Sequence, residues 1–299
     1  MMRPGTSIVF AAFLSVSTAA LPAQEPPPAE APPTDADKLA LLDRVIANQK
    51  KNDETQAICE RLERLETRKG SLGAPKEVKI TRAVPAGTGV DRIPVGPDGK
   101  PGDPRAYRAE LERLERSLVW AAEDGRAQHD AYERIAKKQK DRGDLIEATR
   151  TAFLYTFITY EPRGDRLLSK YRMEPNPAYK ATSRTTAFFA KVRGFVWIDE
   201  AAAQLARVEV EVTDDINFGG FLAKVSKGSH FMQERYEMLP GVWLASYSQY
   251  DFDGRRLFVS FAVHERTFYS QYRRIGPPKE ALFAIRTELG KSASVGSDP

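Results

Sequence analysis

The chain has 299 residues, of which 41% are hydrophobic and 29% are charged, a balance too apolar for a wholly disordered protein. It contains one cysteine and three histidines, which excludes a disulfide framework, a cysteine-rich zinc site and an iron–sulfur cluster within one chain. The formal net charge of +4 is spread along the chain with no run of five basic residues, so the charge pattern favours no nucleic-acid partner.

The N-terminus has the pattern of a secretory signal. Arg3 precedes the apolar segment Ile8–Ala20, which at about 1.5 Å per residue is too short to cross a hydrocarbon layer of about 30 Å. Small residues up to Ala23 are typical of a cleavage site. We therefore expect residues 1–23 to be removed and the mature protein to be periplasmic, without an integral membrane span. An uncleaved anchor is the alternative.

A proline-rich segment follows the predicted signal. Residues 24–37 include five prolines between Gln24 and Thr34, which predicts a semi-extended tether. We predict a single folded domain over residues 38–275. Residues 276–299 are predicted as a C-terminal tail.

The first half of the domain mixes helical and extended patterns. Asp37 is the predicted cap of a helix. Residues Thr55–Arg68 fit either a continued helix or a strand that pairs with Glu77–Val84, and Val90–Val95 fits a short strand. Pro104 begins the strongest helical pattern, over about residues 104–150 with an interruption at Gly125.

From Phe153 onward the apolar residues follow a period of two, which is typical of strands. Turn residues, among them Asp253-Gly254, separate the segments, and strands joined by short turns pair antiparallel. The predicted class is therefore α+β. The predicted strands are Phe157–Tyr160, Leu167–Glu174, Phe195–Asp199, Leu205–Thr213, Leu222–Lys227, Ser229–Met238, Val242–Phe252 and Arg256–Thr267, with a short helix at Thr182–Lys191.

The sequence contains no recognisable catalytic constellation. His230 and His264 lie on predicted strands, and Cys59 has no partner thiol, which favours structural roles for all three. The segment from Asp251 to Gly254 begins like a calcium loop, but Ala262 stands where the closing glutamate is needed. We expect no enzymatic activity, no cofactor and no metal.

Four short segments carry a resemblance to a known family: Phe195-Val-Trp-Ile-Asp199, Leu205-Ala-Arg-Val-Glu209, Gly219-Gly-Phe-Leu-Ala-Lys-Val-Ser-Lys-Gly228 and Gly241-Val-Trp-Leu244. Over about residues 153–275 the chain resembles the outer-membrane lipoprotein-sorting (LolA-like) superfamily, in an uncharacterised bacterial periplasmic branch. The resemblance implies an antiparallel half-barrel sheet wrapped around helices, with an apolar cavity for acyl chains. It favours the strand at 55–68 and makes residues 104–150 a long helical insertion.

The resemblance also implies where a ligand would bind. Both faces of several predicted strands are apolar, as expected where one face packs on helices and the other lines a cavity, although ordinary core on both faces is the alternative. The expected ligand is a lipid or an acylated protein. The alternative is a module that binds an envelope protein, as the periplasmic regulator RseB does, without carrying lipid. The candidate cavity residues are Phe195, Trp197, Val208, Val210, Trp243, Val259 and Phe261.

Overall fold

The structure, a computed structural model, describes residues 34–183, 186–218, 223–256 and 259–290. The predicted signal at residues 1–23 lies outside the described residues, as does most of the predicted tether. Within the described residues the chain forms α-helices and a short 3₁₀ helix: α1 Asp35–Gln56, α2 Pro104–Ala122, α3 Arg126–Ala152, α4 Pro278–Glu288 and the 3₁₀ helix Thr186–Lys191.

The strands join into one large antiparallel sheet. Its order along the main path is β3-β2-β1-β12-β11-β10-β7-β6-β5-β4, and the short strands β8 and β9 pair with each other, with β9 also pairing with β11. The sheet is open, and the fold class is α+β. The strands are β1 Cys59–Arg68, β2 Pro75–Pro85, β3 Val90–Pro94, β4 Phe153–Arg163, β5 Arg166–Pro175, β6 Val192–Asp199, β7 Gln204–Val212, β8 Ile216–Phe218, β9 Ala223–Val225, β10 His230–Leu239, β11 Val242–Arg256 and β12 Val259–Arg274.

Helix α1 begins earlier than the sequence predicts. The Thr34 hydroxyl accepts a hydrogen bond from the Asp37 backbone N–H, and the Asp37 carboxylate accepts one from the Thr34 backbone N–H, each at 3.2 Å. This reciprocal pair is a capping box, in which the third residue of the helix assists the cap. Asp37 as the cap is therefore wrong, and the predicted tether at 24–37 ends by Thr34.

The two alternatives for Thr55–Arg68 are resolved in favour of a strand. Helix α1 ends at Gln56, and β1 pairs antiparallel with β2, with Leu65 opposite Lys79. On its other side β1 pairs with β12, where Glu63 lies opposite Tyr269. The first hairpin thus extends the sheet at the far end of the meander.

The predicted turn at Asp253-Gly254 is wrong. Both residues lie within β11, and Gly254 lies opposite Phe261 of β12. A Cβ atom on Gly254 would lie 2.2 Å from the Lys224 carbonyl oxygen of β9. Glycine is therefore needed here because the backbone of β9 approaches closely.

Helices cover both faces of the sheet, and residues 104–150 contribute to both. Helices α1 and α3 run antiparallel, joined by ion pairs of Lys50 with Glu147 and of Arg150 with Asp43. Helices α2 and α4 cover the opposite face of β2 and β3. Their shared core is formed by Val84, Ile93, Leu111, Leu114, Leu118 and Ile285. The predicted insertion is therefore two helices with different roles.

Residues 276–288 are not part of a tail, which corrects the prediction for residues 276–299. They include α4, in which Ala281 and Ile285 are fully buried against α2. Pro277 and Pro278 begin this helix, and the buried residues Ala281 and Ile285 face α2 at helical spacing. The remainder of the predicted tail, residues 291–299, lies outside the described residues.

Candidate ligand cavity

A cavity of about 530 Å³ lies between the helix pair α1–α3 and the sheet face that the pair covers. The helices contribute apolar side chains at helical spacing, among them Leu42, Val45, Ile46, Leu145 and Ile146. The sheet contributes inward residues of several strands, among them Val196, Ile198, Val208, Val210, Phe231 and Phe252. The 3₁₀ helix adds Phe188 and Phe189.

Strand alternation explains which sheet residues reach the cavity. Val196 lies opposite Val208, and Val210 lies opposite Phe231, so that these side chains share one face across three strands. A register shift between Trp197 and Ile198 places Ile198 opposite Leu205. Because the extra residue, Ala206, belongs to β7, the bulge places Leu205 on the cavity side, opposite Ile198.

Val208 and Val210, two of the candidate residues, line this cavity. Phe195, Trp197 and Trp243 do not, which corrects their prediction. Trp197 lies opposite Arg207, and Phe195 lies opposite Glu209, on the face turned away from α1 and α3. Sequence alternation separates the two faces correctly, but it does not show which face the helices cover.

Trp197 and Trp243 belong to a separate cluster on this outer face, together with Leu168 and Ala206. The Trp197 indole Nε1–H donates a hydrogen bond to Glu161 Oε2 at 2.6 Å. The Lys170 Nζ lies 4.7 Å and the Arg207 Cζ 4.8 Å from the centre of the Trp197 ring. The cluster is thus buried under cationic side chains, an arrangement that stabilises the sheet.

Val259 and Phe261 also lie outside the cavity, which corrects the remaining candidates. They are near the start of β12, and their exposed fractions are 70% and 36%. At this position β12 pairs with the last residues of β11, where Val259 lies opposite Arg256. These paired ends of β11 and β12 extend beyond the part of the sheet that α1 and α3 cover.

One end of the cavity is polar. Arg235 of β10 reaches it with a side chain that is only 4% exposed. The Arg235 Nε donates a hydrogen bond to Gln233 Oε1 at 3.0 Å, and one guanidinium nitrogen donates to the Trp243 carbonyl oxygen at 3.3 Å. The other lies 3.8 Å from Asp53 Oδ1. This last distance is longer than a hydrogen bond.

Asp53 is shared with a second arginine. Arg142 of α3 lies with its Nε 2.9 Å from Asp53 Oδ2, and the Gln49 side-chain amide donates to Asp53 Oδ1 at 2.8 Å. Arg142 and Gln49 line the cavity as well. The Arg142 side chain is 58% exposed, so the polar end reaches solvent at this position.

Burial lowers the pKa of the Arg235 guanidinium; the charge of Asp53 opposes this effect and the charge of Arg142 adds to it. An arginine remains protonated at neutral pH even so. Arg235 is therefore a buried cation whose nearby carboxylate is already paired with Arg142. A buried charge with incomplete compensation is costly, which makes this end of the cavity attractive to an anion.

Sequence analysis did not single out Arg235, Arg142 or Asp53. A signal for Arg235 is present, since it has the same strand parity as Phe231 and so lies on the inward face of β10. Arg142 and Asp53 come from helices that are far apart in sequence. Their meeting depends on the packing of α1 against α3, which periodicity alone does not predict.

The remaining candidates for chemistry are used structurally. Asp251 accepts hydrogen bonds from both terminal nitrogens of Arg266, at 3.0 and 2.8 Å, and its Oδ1 lies 3.0 Å from His264 Nδ1. Cys59 is fully buried, and burial raises the pKa of its thiol, which disfavours the reactive thiolate.

Metal ligands and membrane-spanning helices can be assessed for the part of the chain that the structure describes. There, no three His, Cys, Asp or Glu side chains are grouped so that they could hold a metal ion. None of the described helices is both long and apolar enough to cross a membrane.

The fold and the site define an α+β protein in which an open antiparallel sheet and two helices line a partly open apolar cavity with a basic end. No family model, no curated protein and no solved structure matches the chain. The LolA-like resemblance therefore stays a prediction from short sequence segments.

Proposed function

We propose that this protein is a non-enzymatic carrier or sensor that binds the acyl chain of a lipid or of an acylated protein in the cavity under α1 and α3. The observation that supports the proposal is the cavity itself. Its volume of about 530 Å³ lies within the range of small-ligand sites, and its lining is predominantly apolar.

The cavity is difficult to explain as ordinary core. Protein interiors are close-packed, with few voids larger than a water molecule. This cavity is partly open to solvent, so its apolar side chains either lack packing partners or contact water, and both conditions are unfavourable. An acyl chain would pack against these side chains and remove their apolar surface from water. Both effects make the free energy of binding more favourable.

The predicted signal indicates the cellular compartment in which the protein would bind its ligand. If residues 1–23 direct export, the domain works in the periplasm, where hydrophobic molecules must be shielded from water in transit. A cavity between helices and a sheet provides such shielding because the ligand replaces water-exposed apolar surface with buried contacts.

The direct test is mass spectrometry of an organic extract from purified protein, followed by titration of the delipidated protein with a fluorescent long-chain fatty acid. We expect the wild-type protein to bind the probe. Val208→Trp places a large side chain in the cavity and should lower affinity at least about tenfold, since it removes volume that the chain needs.

Val78→Trp is the matched control. Val78 lies on β2, is 45% exposed and does not line the cavity, so probe affinity should be unchanged. Wild-type protein that neither carries lipid nor binds the probe would contradict the proposal and favour the alternative of a protein-binding module. Equal affinity in Val208→Trp and wild type would place the probe elsewhere.

A further inference from the structure

The two ends of the cavity differ in polarity, and β10 connects them. Ser229, immediately before β10, lines one end, and Arg235 lines the other. At about 3.3 Å per residue this path is about 20 Å long. The end at Ser229 is surrounded by apolar side chains of Val212, Ile216 and Val225. The cavity thus has an apolar end near Ser229 and a basic end at Arg235.

Charge at the basic end is not balanced. Arg142 and Arg235 contribute two positive charges, and Asp53 contributes one negative charge within ion-pair distance of both. The next pair along the helices, Lys50 with Glu147, is neutral as a pair. Among the described groups in ion-pair contact here, one positive charge remains.

The geometry of Arg235 also leaves it directed towards the cavity. Hydrogen bonds to Gln233 Oε1 and to the Trp243 carbonyl oxygen hold its guanidinium in place. Since its separation from Asp53 is 3.8 Å, the ion pair between them is not tight. A guanidinium that is held by neutral acceptors is pre-organised for a planar anion such as a carboxylate.

We propose that the Arg235 end of the cavity binds the carboxylate of a single-chain fatty acid, with the alkyl chain running along β10 towards Ser229; this rests on the proposed binding of an acyl chain. The carboxylate neutralises the remaining positive charge, and Arg142 meets it from the solvent side. Asp53 competes with the ligand for both arginines.

A carboxylate fits better than the alternatives. A neutral head group leaves the buried charge of Arg235 incompletely compensated. A phosphate monoester brings about −1.5 to −2 charges at neutral pH, more than the single charge that remains.

The test compares hexadecanoate, hexadecanol and hexadecyl phosphate by calorimetric titration of the delipidated protein. Hexadecanoate and hexadecanol have the same number of carbon atoms, so their difference in affinity reports the contribution of the head group. We expect hexadecanoate to bind at least about tenfold more tightly than hexadecanol, because a charge-assisted hydrogen bond is stronger than a neutral one.

Substitutions at the basic end should change the affinity for hexadecanoate and leave the affinity for hexadecanol unchanged. Arg142→Gln should weaken hexadecanoate about tenfold and leave hexadecanol unchanged, while Asp53→Asn should strengthen hexadecanoate because the competing carboxylate is gone. Arg193→Gln is the matched control: Arg193 is 59% exposed and pairs with Glu211 on the outer face. It should change neither affinity.

Arg235→Lys keeps the charge but loses the planar fork, and it should also weaken hexadecanoate selectively. Circular dichroism identifies any variant that fails to fold, in which case Arg142→Gln and Asp53→Asn decide. Equal affinity for hexadecanoate and hexadecanol would overturn the inference while leaving acyl-chain binding intact. Tighter binding of hexadecyl phosphate would overturn the choice of a carboxylate. Binding of none of the three ligands would instead contradict the proposed function.

Discussion

Trp197 is one of the two tryptophans of the outer-face cluster, and it is 4% exposed. Removing a buried tryptophan side chain leaves a cavity in the packing and typically costs about 3–5 kcal/mol. We expect Trp197→Ala to lower the free energy of unfolding in urea by this amount. Ligand affinity should be unchanged, because the ring lies on the face opposite the cavity.

Trp197→Phe separates packing from hydrogen bonding. It keeps a ring between Lys170 and Arg207 but loses the hydrogen bond to Glu161, so it should cost less than the alanine variant. Loss of ligand binding at unchanged stability in either variant would contradict the structure and restore Trp197 to the cavity, as the sequence prediction had it.

Gly194 marks a close approach of two strands. A Cβ atom there would lie 1.8 Å from the Glu209 carbonyl oxygen of β7, a backbone atom that cannot rotate away. Gly194→Ala should therefore lower the free energy of unfolding by about 1–3 kcal/mol or more through overpacking. Gly89→Ala is the control, since nothing lies within 4 Å of its added Cβ. Equal melting temperatures of the two variants would refute the close approach.

Asp251 is expected to contribute to acid sensitivity. Burial acts to raise its pKa, but hydrogen bonds with Arg266, His264 and Gln249 outweigh burial, and the pKa of the carboxyl lies below its usual value. A carboxyl group whose pKa is lower in the folded state stabilises the fold above its unfolded pKa of about 3.9. This contribution is lost as the pH falls through the folded pKa.

Asp251→Asn should therefore cost about 3 kcal/mol at pH 7, because it breaks a buried pair with Arg266. The difference from wild type should shrink as the pH falls below about 4, where the carboxyl of the unfolded wild-type chain becomes protonated, until the pH passes the lower pKa of the folded state. Urea denaturation at several pH values measures both effects. Asp144→Asn is the control, because Asp144 is an exposed residue of α3. A pH-independent difference in stability between Asp251→Asn and wild type would show that the charge of Asp251 is not the cause.

At the scale of elements, α4 should be required for stability although it lies where a tail is predicted. Ile285 is 1% exposed in the core that α4 shares with α2, whereas Phe283 of the same helix is 59% exposed. We expect Ile285→Ala to lower the free energy of unfolding by about 2–5 kcal/mol and Phe283→Ala to change it by about 0.5 kcal/mol or less. Similar effects of the two changes would mean that α4 does not pack as described.

Local patterns predict the elements better than they predict their partners. The period of two from Phe153 onward identifies most strands, because alternation is a property of each strand alone. The short helix α4 is missed because Pro277 and Pro278 obscure a pattern only a few turns long. Gly254 is misassigned because a glycine at a close approach and a glycine in a turn look alike in sequence.

The site depends on contacts that no local pattern contains. Val208 and Val210 follow from strand alternation, yet the choice of face for Trp197 depends on where α1 and α3 pack. Along the chain these helices are separated by the three strands β1–β3 and by α2. Likewise, β1 pairs with β12 across almost the whole domain. Such long-range pairing is determined by the combined burial of all elements, which single-sequence periodicity does not report.

At the scale of the whole molecule, helices cover both faces of one sheet, so that the residues that stabilise the outer face differ from those that line the cavity. Cores on the outer face, such as the one shared by α2 and α4, hold the sheet together without contacting the cavity. The helix pair α1–α3 can then cover a cavity that is not filled by side chains. This arrangement is the physical reason why outer-face variants should alter stability and cavity variants should alter affinity.

The last prediction concerns the N-terminal residues. From Thr34 onward the described residues form one compact unit, and the capping box at Thr34 begins its first helix, so we expect the fold to need none of the predicted signal. We expect terminal sequencing of exported protein to find a first residue near 21 or 24, and we expect a variant that begins at residue 33 to match its melting temperature. The proline-rich tether should add no stability because an extended segment buries little apolar area. Retention of Ile8–Ala20 in the exported protein would contradict the predicted cleavage. A large decrease in the melting temperature of the shortened variant would show that the tether packs on the domain.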